Sequence, residues 1–511
     1  MRPAPCLHHL LVAALGALLT VACTRHPSLP DTYHTQQRQP VIRPDYTDVT
    51  IPPNIAPLNF KVLEGSDECI ALLTLPDGTT QTYGQGKNIC FPLKAWRRIT
   101  ATARGHAIKV EIYAKDPRGE WHRYAPFGIS VADDSIDPWC SYRLISPSYV
   151  AYEMLSITQR NLTNFDERDI YNNMIVNSEK TGQCINCHSY QAYGTSNMQF
   201  HMRQGYGGTM IIRDGQPYKV DLKTDSTISA GVYPAWHPTL PLIAYSTNST
   251  GQSFHTKARD KIEVEDSRSD IILYDIERNE VSPIQMREDE FEVFPWWAPD
   301  GNSLYYCSAH FEFVDSIERE EQVISRYREI QYDIYRRPFD QQTYRFGPPE
   351  LIYAASRHDA SATVPRVSPD GRYLLFAQGH HGCFHVWHPD ADLYLTDLQT
   401  RRTRRLENVN SDDAESYHVW SSNGRWILFV SRRDDGNYSR LYIAHFDAEG
   451  HAHKAFELPQ EDPDFYDFFL RSYNVPEFMR EPVTISPQTL VSAARQDARK
   501  ATYVPVATGP K

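Results

Sequence analysis

The sequence predicts a mainly β protein in three parts. A β-sandwich-like domain is expected over residues 47–136, a short helical segment over 137–206, and a β-propeller of about five or six blades over 207–480. Three observations carry this. Short apolar runs separated by turn residues recur at roughly 8–12-residue spacing up to residue 131. One repeat unit then recurs four times after residue 207. Between them lies the pentapeptide Cys184-Ile185-Asn186-Cys187-His188, in a stretch whose apolar spacing is helical.

Composition bounds what the chain does. At 511 residues, 41% hydrophobic and 23% charged, it has the make-up of an ordinary globular protein with room for two or three domains. The net charge of −12, with no basic stripe, argues against nucleic acid as a partner. No apolar run after the N-terminus approaches membrane-spanning length, so attachment to a membrane is expected through a lipid only.

Residues 1–22 read as an export signal. Arg2 precedes an apolar run over residues 10–21 that is short for a membrane span but suits a signal-peptide core. The run ends in Leu19-Thr20-Val21-Ala22-Cys23, which resembles the lipobox of bacterial lipoproteins, although Thr20 stands where Leu is usual. The resemblance implies a lipidated Cys23 and a lipid-anchored, periplasm-facing protein of the bacterial cell envelope; ordinary cleavage nearby is the alternative. The polar, Pro-containing residues 23–46 then read as a flexible tether.

Within the first domain, strands are expected at residues 59–62, 69–75, 88–93, 98–104, 107–113 and 128–131, with turns at Pro76-Asp77-Gly78 and Asp116-Pro117-Arg118-Gly119. Nothing there suggests chemistry, so a spacer or docking module is expected. Cys69 and Cys90 are candidates for a disulfide in an oxidising compartment, whereas Cys140, Cys307 and Cys383 read as buried free thiols. Residues 148–160, with Tyr149, Tyr152 and Leu155 at helical spacing, predict a helix against the segment that follows.

The spacing Cys-x-x-Cys-His lets both thiols add to the vinyl groups of one haem while the imidazole reaches its iron. A redox dithiol, half a zinc site and a structural disulfide are the other readings. The first wants a βαβ setting and the second a further Cys/His pair, and neither is evident. One haem c is therefore expected, on Cys184 and Cys187, with His188 as proximal ligand. A short helix capped by Ser196 or Asn197 and ended by Gly205 would put Met198, His201 and Met202 on one face, which makes them the candidates for the distal iron ligand. Met202 leads, followed by Met198 and His201, with Met479 or no ligand left open. Arg143 and Arg160 are candidate partners for haem carboxylates.

The repeats follow one plan. Pro234-Ala235-Trp236-His237-Pro238, Pro295-Trp296-Trp297-Ala298-Pro299-Asp300-Gly301, Pro365-Arg366-Val367-Ser368-Pro369-Asp370-Gly371 and Val419-Trp420-Ser421-Ser422-Asn423-Gly424 each lead into an aromatic or aliphatic strand. A Pro-Asp-Gly turn before a buried strand, repeated, is a propeller blade. The units resemble the Ser-Pro-Asp-Gly blades of TolB-like propellers over about residues 207–447, most clearly at Ser368-Pro369-Asp370-Gly371-Arg372. Two units depart from the pattern, with Thr239-Leu240 and Ser422-Asn423 in place of Asp-Gly and Pro-Asp. A haem motif ahead of such a propeller resembles Bacteroidetes-type envelope lipoproteins that combine the two. The insert His380-His381-Gly382-Cys383-Phe384-His385-Val386-Trp387-His388 is either a ligand cluster or a His-rich loop, and residues 481–511 read as a C-terminal tail.

Electron transfer through one haem is the expected function, the propeller serving as docking platform for a redox partner or another envelope protein. A non-redox binding or assembly lipoprotein is the alternative. A peroxidase-like enzyme, which needs an open iron position, is third, so a carrier or binding protein is expected rather than an enzyme.

Overall fold

In the computed structural model, which describes residues 27–65, 67–146, 154–176 and 184–505, the repeats form a ring of six antiparallel blades. Blade one is Ile185–Gln191, Gly194–Met202, Gly208–Arg213 and Gln216–Asp221. Blades two to five start at Val232–Trp236, Glu290–Trp297, Ser361–Val367 and Glu415–Trp420. Blade six joins the two ends of the chain. Its innermost strand is the C-terminal Ser472–Met479, paired with Trp139–Ile145, then Ser156–Asn161 and Glu167–Asn172. Pairing strands more than 300 residues apart fastens the ring where the two ends of the chain meet.

The stretch expected to be a separate helical unit is therefore propeller. Residues 156–161 form a strand bonded on both sides, and residues 185–202 form the two inner strands of blade one; pairing within a sheet overrides the local helical spacing. Residues 147–153, the rest of the expected helix, lie outside the described residues, as do Cys23 and residues 1–22.

The turns explain why the irregular repeats still fold as blades. In the regular units Asp300 and Asp370 accept from the main-chain N–H two residues on, at 2.9 and 3.0 Å, and Gly301 and Gly371 take φ of +72° and +73°. Asn423 does the same for Arg425 at 3.1 Å. In blade two His237 replaces the carboxylate: its Nδ1 accepts from the N–H groups of Leu240 and Thr239 at 2.9 and 3.2 Å. Between blades, aromatic and aliphatic layers interdigitate, as with Leu375, Leu395, Trp420, Phe429 and Phe446.

The N-terminal domain has two sheets and one helix. Residues 98–102, expected in a strand, belong to the helix Leu93–Thr102, whose buried Trp96, Ile99 and Thr100 follow helical spacing. Residues 27–46, expected as part of a tether, are built into the domain: His34–Thr35 and Ile42–Arg43 are strands and Tyr46 is fully buried. Cys69 and Cys90, expected as a candidate pair, are not joined by a disulfide. The domain sits on blade five and the loop after it, through Asp137 to the Ser422 N–H (2.6 Å) and Lys61 to Asp464 (2.5 Å). Residues 487–503 likewise pack: after the helix Pro487–Ala494, Arg499–Lys500 and Thr502–Tyr503 add parallel strands to the outer edges of blades one and two. No helix among the described residues is long and apolar enough to cross a membrane.

Glu292, on the inner strand of blade three, is fully buried, and burial, reinforced by the carboxylates of Asp270 and Glu290, pushes its pKa up to about 9. The unfolded chain releases that proton near pH 4.5, so between there and pH 9 the folded state holds a proton the unfolded state has lost, and stability falls as pH rises. Glu292→Gln is expected to gain on wild type across this interval by up to about 1.4 kcal/mol per pH unit. Urea unfolding midpoints at pH 5 and pH 8 read the effect; an equal difference at both pH values would refute it.

Candidate functional site

Each of the six inner strands breaks its pairing at the same level. Cys187, Tyr233, Phe294, Val364, Tyr417 and Val475 have φ between +44° and +57°, each at a shift in strand register. Left-handed backbone at valine or an aromatic residue is strained, and six such bulges in a ring mark a place where side chains are re-aimed. They surround a cavity of about 600 Å³ on the propeller axis, to which every inner strand contributes. That volume is in the range of cofactor-sized sites.

Blade one places the Cys-x-x-Cys-His run at this bulge. In a regular strand Cys187 would face away from Cys184 and His188 would face away from Cys187, because side chains alternate. The bulge at Cys187 breaks the alternation, and Cys184, Cys187 and His188 all border the cavity. In four of the other five strands proline follows the bulge residue; in blade one that place is taken by His188. His188 is 1% exposed and neither ring nitrogen makes a well-formed hydrogen bond. Burial, together with the Arg143 guanidinium, brings its pKa down to about 3, the Ser141 backbone opposing part of the shift, so the ring is neutral.

Across the ladder, His201 pairs with Asn186 and also borders the cavity, its Nδ1 3.4 Å from Thr209 Oγ1. Burial lowers its pKa to about 3 as well. Met198 and Met202 differ from expectation. The segment is a strand, so their shared face carries them with Phe200 into the hydrophobic core, both fully buried and neither bordering the cavity. Met479, on the closing strand, is also core. Arg143 borders the cavity; Arg160 does not, and is held instead by the Pro459 carbonyl and Gln460 at 2.5 and 2.6 Å. Sequence reasoning missed Arg203, Arg366 and Glu477 at the cavity wall. Arg366 and Glu477 each stand two residues after a bulge, so aligning the repeats on that position would have found them. Burial pushes Glu477 up to about 7, Arg366 offsetting part of the shift.

No protein-family model and no curated protein matches this chain. Among solved structures it is similar to the β-propeller domain of the Trilobed protease from Pyrococcus furiosus (12% identity, 66% of this chain and 79% of that one, TM-score 0.31). It is also similar to an auxiliary nutrient binding protein from Bacteroides thetaiotaomicron (10%, 81% and 99%, 0.32) and to prolyl oligopeptidase B from Galerina marginata (8%, 62% and 44%, 0.36). The chain thus spans less than half the length of the last. These likenesses concern the fold alone; the blade count rests on this chain's own strand pairing.

The cavity residues have the arrangement of neither a bare-ion site nor a reactive dithiol. No three donor atoms among Cys184, Cys187, His188 and His201 lie within 4.8 Å of one another, as the ligands of a single ion would. Burial pushes the Cys187 thiol up, opposite to the lowered pKa that makes a dithiol reactive. The described residues contain a separate cluster whose donor atoms do converge, Glu263 with His381 and His388.

Proposed function

We propose that the protein is a c-type haem protein of a bacterial envelope, its one haem held in the axial cavity by Cys184, Cys187 and His188, and that it transfers electrons. The observation that carries this reading is the placement of Cys184, Cys187 and His188 on one cavity, with a buried His188 whose ring nitrogens make no well-formed hydrogen bond. When bound, haem supplies a one-electron couple. The chain would supply two thiols for attachment, the His188 imidazole as an iron ligand, and the guanidinium groups of Arg143, Arg203 and Arg366 to pair with carboxylates. The propeller surface then serves for docking a redox partner, or another envelope protein if the haem is not cycled.

The test is protein matured with haem-attachment machinery. It should carry haem that survives denaturation and acidified solvent extraction, and its absorption spectrum should change reversibly between oxidised and reduced forms. A mass equal to the bare polypeptide refutes haem attachment. Haem that attaches but cannot be cycled favours the binding reading. We also propose a lipid anchor at Cys23, supported by Leu19-Thr20-Val21-Ala22-Cys23 after a short apolar run. Cys23→Ser is expected to move the protein from the membrane fraction to the soluble periplasmic fraction, and a wild-type protein already soluble would refute the anchor.

A further inference from the structure

Among the described residues, blade two carries the longest hairpin of the ring, with strands Leu242–Phe254 and Ile262–Asp275 of 13 and 14 residues. Its outer half reaches across the face of the propeller. Arg259 pairs with Asp413 at 3.0 Å, Lys261 contacts Asn437, and Val264 and Gln252 border the axial cavity. Val264 borders the cavity, and its neighbour Glu263 meets the insert of blade four, which runs from Gly379 to Ala391 between two strands of that blade.

At that meeting point one carboxylate oxygen, Glu263 Oε2, lies 3.0 Å from His388 Nε2 and 3.3 Å from His381 Nε2. Glu263 and His388 are each 1% exposed, His381 12%. His388 Nδ1 has no hydrogen-bond partner. A side chain buried to this degree normally has its polar atoms satisfied. The approach is made possible by Gly382, with φ of +68°: a Cβ there would stand 2.8 Å from Glu263 Oε1 and 3.4 Å from His388 Cε1. The backbone is thus shaped to let two imidazoles and a carboxylate converge.

We propose that Glu263, His381 and His388 bind a divalent transition-metal ion of the zinc class, which fastens the blade-two hairpin to the blade-four insert. Two imidazoles and one carboxylate are a recurrent zinc donor set, in which water completes the tetrahedron. A cation at this point also links the roof of the axial cavity to its wall, since Val264 and Phe384 both border that cavity. The proposal does not depend on what the cavity holds.

The experiment uses the full chain, stripped with a chelator, dialysed against micromolar ZnCl2 and analysed for zinc per chain. One equivalent is expected, retained in Cys184→Ala/Cys187→Ala and lost in Glu263→Gln and His388→Gln. Thermal unfolding of wild type should shift upward with ZnCl2, and that of Glu263→Gln should not. Zinc X-ray absorption on wild type, which needs no substitution, should show nitrogen and oxygen donors without sulfur. No zinc in wild type, zinc unaffected by the two substitutions, or sulfur in the ligand shell overturns the proposal and leaves a buried His–Glu ion pair.

Discussion

Cys184→Ala with Cys187→Ala is expected to abolish covalent haem, each single substitution to leave one thioether, and His188→Ala to leave both while changing the spectrum. The separation follows from the bulge at Cys187, which lets three consecutive chemistries face one cavity with different duties. In the proposed haem protein the thiols would attach and the imidazole would ligate. Mass spectrometry of denatured protein reads attachment, and visible spectra of native protein read ligation. A further substitution separates function from packing. Because His188 is buried with no well-formed hydrogen bond, it costs the haem-free polypeptide about 1–3 kcal/mol. His188→Leu should therefore raise the unfolding free energy of haem-free protein while removing its haem spectrum when matured. A histidine kept only for packing predicts the opposite sign, a loss of stability.

The propeller was legible in the sequence because its turns are chemically specific. Asp370 and Gly371 mark a turn that few other residue pairs can make, and the strands after such turns are uniformly apolar. What local patterns could not show is pairing at a distance. Ser472–Met479 bonds to Trp139–Ile145, so the chain before Cys184 completes the last blade, and nothing near residue 139 announces a partner beyond residue 470. The same blindness hid Glu263, which is 118 residues from His381. The pentapeptide itself is plain in the sequence, since its two cysteines and its histidine lie within five residues. Residues 198–202 suggest period 3.6 but fold with period 2, so of the three candidates Met198, His201 and Met202 only His201 borders the cavity.

That placement makes the last prediction. With haem in place, His201→Ala is expected to convert a low-spin oxidised spectrum to high-spin and to open the iron to cyanide, because His201 borders the cavity opposite Asn186 in the same ladder. Met198→Ala and Met202→Ala should leave the spectrum unchanged and instead cost stability. Both methionines are fully buried in the core beside Phe200, where truncation to alanine costs about 2–5 kcal/mol through lost contacts and the void left behind. The two kinds of variant thus exchange their effects: one changes ligand binding at small cost in urea midpoint, the others lower the midpoint with ligand binding intact. Two imidazoles also set a lower reduction potential than an imidazole and a thioether would. A high potential in wild type, together with a high-spin spectrum in Met202→Ala, would require the inner strands of blade one to be rebuilt around the haem. It would remove His201 from the assignment.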